Sequence, residues 1–156
     1  MILEKKIKMK DVKKIFLNNL DDTKNIAVEI SKIIKEKFFI CLSGDVGSGK
    51  TTFANYLINA LSNKKINVLS PTFPIVQYYK LNNLKIWHYD LYRIKESHEI
   101  FSLDFDVALN EIIIMEWPEK IKKFLPEDRL ELSFSEDKNF NRFLLIKTFG
   151  NIEFNI

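Results

Sequence analysis

Cysteine occurs once in this chain of 156 residues, as Cys41, so an internal disulfide is excluded. Long apolar runs are missing too; none approaches the roughly 20 residues that a membrane-spanning helix needs. The opening Met1-Ile2-Leu3-Glu4-Lys5-Lys6 lacks the extended apolar core of a secretory signal. These absences lead to the expectation of a cytoplasmic protein. Arginine is used sparingly: Arg93, Arg129 and Arg142 stand among 24 basic residues. Lysine, isoleucine and asparagine are abundant, a pattern of coding bias and not of binding. The net charge of +3 is too mild to demand a nucleic-acid partner, and it does not exclude one. No repeat, low-complexity tract or Pro/Gly linker interrupts the chain, so 1–156 reads as one domain, with a basic lead over 1–10. Glycine is rare as well, with four in all, yet Gly44, Gly47 and Gly49 are three of them.

What is present is a chain able to fold. At 46% hydrophobic it can bury a core, and at 29% charged it stays soluble without being disordered. Val12 to Leu17 reads as a strand. Asp21-Asp22-Thr23 reads as an N-cap cluster opening a helix whose Ile26, Ile30, Ile33 and Ile34 share a face. Phe38 to Leu42 is a continuous apolar run, the mark of a strand buried on both faces. Lys50 to Leu61 has the apolar spacing of a helix. Strands are expected over Ile66 to Leu69, Ile75 to Tyr79, Leu84 to Tyr89 and Glu111 to Met115. Short helical turns are expected over Glu96 to Phe101 and Pro118 to Phe124. Leu130 to Phe134 and Phe143 to Thr148 alternate and should pair as a hairpin. Strands mixed with helices predict an α/β fold in three layers around a mixed, largely parallel sheet; the glycine loop between Phe38–Leu42 and Lys50–Leu61, Gly44-Asp45-Val46-Gly47-Ser48-Gly49-Lys50-Thr51, makes the expected domain P-loop NTPase-like.

The clustered glycines carry the strongest signal. Gly44-Asp45-Val46-Gly47-Ser48-Gly49-Lys50-Thr51 meets the pattern G-x-x-x-x-G-K-[ST], with a buried strand before it and an amphipathic helix after it. Such a loop turns its backbone N–H groups inward around phosphates, and side chains would block that approach. The following helix adds the positive end of its dipole. Lys50 is then placed to reach the β- and γ-phosphates, and the Thr51 hydroxyl to ligate Mg²⁺. A mere Gly-rich turn would not explain the flanking strand and helix.

A P-loop site usually has a further acid at the end of a buried strand. Glu116, directly after Ile112-Ile113-Ile114-Met115, is the first candidate; Asp90, in Trp87-His88-Tyr89-Asp90-Leu91-Tyr92-Arg93, is the second. Either could instead be an ordinary strand-end or turn-capping acid. Arg93 could neutralise triphosphate charge or form a surface ion pair. His88 alternates with aromatic residues and reads as a packed histidine more readily than as a catalyst. His98 reads as solvated, and Trp117 as packing or as a shield for the nucleotide site. No zinc or thiol chemistry is expected.

Four motifs in this order resemble those of the TsaE (YjeE) family: Gly44 to Phe53, Ser70-Pro71-Thr72-Phe73, His88-Tyr89-Asp90-Leu91-Tyr92-Arg93, and Glu116-Trp117-Pro118-Glu119. The resemblance implies a slow ATPase that works with the TsaB–TsaD pair. That pair forms N6-threonylcarbamoyladenosine at position 37 of tRNAs reading codons that begin with A. It implies ATP and Mg²⁺ as cofactors, and tRNA as an indirect partner through the complex. By position, Gly44, Asp45, Val46, Gly47, Ser48, Gly49, Lys50, Thr51 and Thr52 would hold the nucleotide, with Asp21 and Thr23 on its adenine side. Lys50, Asp90 and Glu116 would be catalytic, and Thr51, Glu116 and Asp90 would face the metal. How the two acids divide metal holding from water activation stays open at this level. Ser70 and Thr72 would belong to a mobile loop beside the γ-phosphate.

The chain departs from the family pattern in its basic lead and in Pro74, which should stiffen that loop. Two other functions compete. A stand-alone small-molecule or nucleoside kinase needs an acceptor pocket and usually an arginine-rich lid, for which three arginines are few. A binding module with structural ATP would not need Asp90 and Glu116. Guanine reading is not expected, because Asn63-Lys64-Lys65-Ile66 lacks the aspartate of N-K-x-D.

Overall fold

Alternating apolar segments assemble here into a seven-stranded sheet of order β1-β7-β6-β2-β5-β4-β3. The structure, a computed structural model, describes residues 9–155. In chain order the elements are β1 (Met9–Phe16), α1 (Leu20–Ser31), β2 (Phe38–Ser43), α2 (Lys50–Leu61), β3 (Val76–Leu81) and β4 (Leu84–Asp90). A 3₁₀ segment (Ser97–Leu103), α3 (Phe105–Ala108), β5 (Ile112–Glu116), a second 3₁₀ segment (Pro118–Phe124), β6 (Arg129–Glu136) and β7 (Arg142–Phe149) follow. Strands β6, β2, β5 and β4 are parallel neighbours; β3 and β7 run against them, and β1 is antiparallel to β7. The sheet is therefore mixed and largely parallel, as expected.

Both faces of the central strands are covered, which explains their unbroken apolar sequences. Ile40, Leu42, Ile112, Ile114, Leu130 and Leu132 pack under α1 and α2 with Phe53, Leu57 and Ile30. The alternate residues Phe39, Cys41, Tyr89, Ile113 and Met115 face the other way, onto Ile100, Phe105, Ala108 and Ile121. The third layer is thus built mostly from short 3₁₀ and helical turns. Burial pushes the Cys41 thiol well above its usual range, so it is a core residue and not a nucleophile.

Several local expectations are corrected. The N-cap of α1 is Asn19 and not the Asp21-Asp22-Thr23 cluster. The Asn19 side chain accepts from the Asp22 N–H at 3.0 Å, and the Asp22 carboxylate accepts from the Asn18 N–H at 2.8 Å. This reciprocal cap fixes the start, leaving Asp21 and Asp22 in the first turn beside the positive helix end. The helix stops at Ser31, before Ile33 and Ile34, which still pack against the core from a turn. Ile66 to Leu69 is not a strand. The Asn59 side chain accepts from the Ile66 N–H at 2.7 Å and donates to its carbonyl at 3.0 Å, so this backbone is satisfied without a neighbouring strand. Of the basic lead, residues 1–8 lie outside the described residues; Met9 and Lys10 begin β1.

Candidate functional site

The carboxyl ends of the parallel strands meet at one edge, where open α/β sheets carry their ligand sites. Strand register sets Leu42 opposite Glu116, and Glu116 opposite Asp90. The chain leaves β2 at Ser43 into the glycine loop and returns as α2 at Lys50. Gly44 has φ +143°, and a β-carbon there would lie 2.6 Å from Ser48 Oγ and 2.7 Å from the Phe134 carbonyl oxygen. No other residue fits that position. Gly44→Ala should therefore force the loop out of shape. We expect a loss of about 1–3 kcal/mol in denaturant unfolding, with phosphate binding weakened as well; a variant of parental stability would contradict this geometry.

Lys50 is 5% exposed and lies back along the loop. Its Nζ donates to the carbonyls of Gly44 at 2.6 Å and Asp45 at 2.7 Å, and sits 4.6 Å from the centre of the Trp117 ring. Burial lowers its pKa, and the charges of Glu116 and Asp90 oppose that shift. Trp117 can face Lys50 because the chain turns sharply off β5: its φ is +61° and its N–H donates to the Leu42 carbonyl at 3.2 Å. The Trp117 ring also meets Tyr92 at 4.9 Å.

The two strand-end acids have different companions. Glu116 Oε1 accepts from the Thr51 hydroxyl at 2.8 Å, and Oε2 meets His88 Nε2 at 2.7 Å. Asp90 accepts from the Thr72 hydroxyl at 2.9 Å and from the Tyr92 N–H at 3.0 Å. The Thr72 and Ser70 hydroxyl oxygens are 2.7 Å apart. The segment Ser70 to Ile75 is thereby drawn onto Asp90. It ends at Ile75 with φ +68°, a strained value for a β-branched residue, whose carbonyl accepts from the Asp90 N–H at 2.8 Å.

A cleft of about 450 Å³ opens over the loop. Thr23, Gly47, Ser48, Gly49, Lys50, Thr51, Thr52 and Glu116 line it, together with Leu17 to Leu20, Phe134 and Arg142. Asp45 and Val46 line an adjoining hollow, and the Val46 side chain is exposed. Asp21 is exposed and lines neither, and Asp90 lies beside the cleft instead of in its wall. Arg93 lies over the Phe73 ring at 4.9 Å and lines neither hollow. Sequence reasoning passed over the cleft positions of Asn18, Asn19, Phe134 and Arg142, and the carboxylate contact of His88. Arginine scarcity was a hint for Arg142; nothing local marked the others.

A family model described as threonylcarbamoyl adenosine biosynthesis protein TsaE matches residues 17–144. The chain belongs to the TsaE family. The match runs from Leu17 past Arg142, so it takes in both ends of the cleft lining. Named relatives agree. The tRNA threonylcarbamoyladenosine biosynthesis protein TsaE of Rickettsia typhi is 40% identical over 132 residues, 84% of this chain and 92% of that one. Its namesake in Bacillus subtilis is 32% identical over 133 residues, 85% and 84% of the two chains. The crystal structure of Bacillus subtilis YdiB superposes with a TM-score of 0.74 at 26% identity, covering 92% of this chain and 89% of that one.

Proposed function

We propose that this TsaE-family protein is a cytoplasmic, single-domain, Mg²⁺-dependent ATPase that supports TsaB and TsaD. In this role it serves the formation of N6-threonylcarbamoyladenosine at position 37 of tRNAs reading codons that begin with A. The observation that carries the ATPase reading is the Thr51 hydroxyl paired with Glu116 at 2.8 Å, at the mouth of a glycine loop that already holds a lysine. The biosynthetic role is supported by the family and by the names of its relatives.

The donor set suits Mg²⁺. A hydroxyl and a carboxylate converge as hard oxygen ligands, leaving the other positions to phosphate and water. When bound there, the ion would supply charge neutralisation to the phosphate oxygens. Lys50, now on the Gly44 and Asp45 carbonyls, would supply its positive charge to the β- and γ-phosphates. The loop N–H groups and the start of α2 hold the remaining phosphate charge. Thr23, Asn18 and Asn19 border the cleft, and Thr23 would meet the adenine of a bound nucleotide. The companions of the acids suggest a division of labour. Glu116 faces Thr51 and serves the metal side, while Asp90 faces Thr72 and orients or deprotonates the attacking water.

Phosphate release by the purified protein, measured alone and with TsaB and TsaD, tests this reading. Slow release alone, and sustained formation of the modified nucleoside only with all three, is expected. Nucleosides from cells depleted of the protein should show a fall in threonylcarbamoyladenosine by mass spectrometry. Normal levels would refute the biological role. Transfer of phosphate to a small acceptor, without release to water, would support a kinase instead.

A further inference from the structure

His88 takes no part in the chemistry above and does not line the cleft, yet it touches the site's buried acid. It lies on β4 two residues before Asp90, on the sheet face that carries Ile86 into the α1–α2 core. The Glu116 carboxylate is held at both oxygens: Thr51 takes Oε1 and His88 takes Oε2. The His88 side chain is wholly buried and that of Glu116 is 2% exposed. A carboxylate oxygen accepts, so Nε2 carries the proton between them. Among the described residues His88 Nδ1 has no hydrogen-bonding partner, so Nε2 is the ring atom that ties His88 to the site.

Glutamate has a long side chain, and one hydrogen bond to Thr51 does not fix the plane of its carboxylate. The second bond does. We propose that His88 is a positioning residue: its Nε2–H holds Glu116 with Oε1 aimed at Thr51. It thereby sets how tightly the site takes a divalent ion together with the triphosphate. The proposal rests on reading the cleft as a site for ATP with Mg²⁺. His88 acts through Glu116 and touches neither ligand, so its loss should appear in metal-linked binding and not in binding of the nucleotide alone.

Calorimetric titration with ATP, run once in Mg²⁺ and once in a chelator, separates these. For His88→Leu and His88→Asn, affinity in Mg²⁺ should fall about tenfold or more, with affinity in chelator nearly unchanged. His88→Gln, whose terminal amide can place an N–H near the former Nε2, should recover most of the loss. The smaller polar asparagine supplies the reading should the leucine variant not fold. A parental Mg²⁺ effect in either folded loss variant overturns the proposal. So does an equal loss with and without Mg²⁺ that glutamine does not repair, since that is the mark of a merely structural histidine. A parent protein that binds ATP no better in Mg²⁺ than in chelator would bring down the underlying site reading, and this proposal with it.

Discussion

Lys50→Ala weakens ATP binding by about 1.5–3 kcal/mol, the worth of a charge-assisted hydrogen-bond set, while the sheet and helices remain folded. This corresponds to a rise of about 10- to 150-fold in dissociation constant. Nζ is kept buried at the loop by two carbonyls, at 2.6 and 2.7 Å, and by the face of Trp117. Burial disfavours its charge, while Glu116 and Asp90 favour it. A cation held against its own desolvation gains strongly from a polyphosphate brought within reach. Lys50 lies outside both apolar clusters of the core, so the fold should survive its loss. Calorimetric titration of the folded variant is the measurement. Parental affinity would sink the assignment of the loop as a phosphate site.

Loss of Asp90 should cost more in rate than in binding. Asp90→Ala is expected to slow hydrolysis about 10²- to 10⁴-fold, the range of a positioned general base. ATP affinity should change far less, because the work of this group lies in the transition state. The Asp90 carboxylate is held by Tyr92 and Thr72, so alanine also frees the Thr72 end of the Ser70–Ile75 segment. Asp90→Asn keeps one acceptor oxygen and separates the two effects: it should retain the segment and still lose the rate. Glu116→Ala should differ by losing its dependence on Mg²⁺ as well, since Glu116 is the acid that meets Thr51. Single-turnover hydrolysis across a Mg²⁺ series reads both. Parental rates in both the Asp90 and Glu116 variants would show that the acids have been misplaced.

Local physics made much of this molecule readable before folding. The glycine loop is a short-range pattern, because its backbone angles and its lysine are dictated within eight residues. Ile112 to Met115 and Phe38 to Leu42 announce strands covered on both faces by having no polar alternate. Those readings hold in the sheet that forms. Glu116 was visible for the same reason, as a polar residue ending an apolar strand. Where local reading failed, a side chain had done the work of a backbone. Asn59 satisfies Ile66 and removes the need for a strand there; Asn19 and Asp22 share the cap that the acidic cluster had claimed.

The sequence by itself determined that this chain carries a glycine-rich loop of the pattern G-x-x-x-x-G-K-[ST] between a buried strand and a helix, and which acids stand at strand ends. Each of those facts depends on neighbours in the chain, and propensity and periodicity record them. Only the tertiary structure decided what each acid meets. Glu116 finds Thr51 and His88, and Asp90 finds Thr72, because parallel register sets β5 between β2 and β4 and brings residues up to 65 positions apart into hydrogen-bonding range. The far wall of the cleft was decided in the same way. Arg142 enters it because β7 runs beside β1, where the Leu17 N–H donates to the Arg142 carbonyl at 2.9 Å. Strand pairing is specified by the burial of whole sheet faces, and no short window of sequence contains that information.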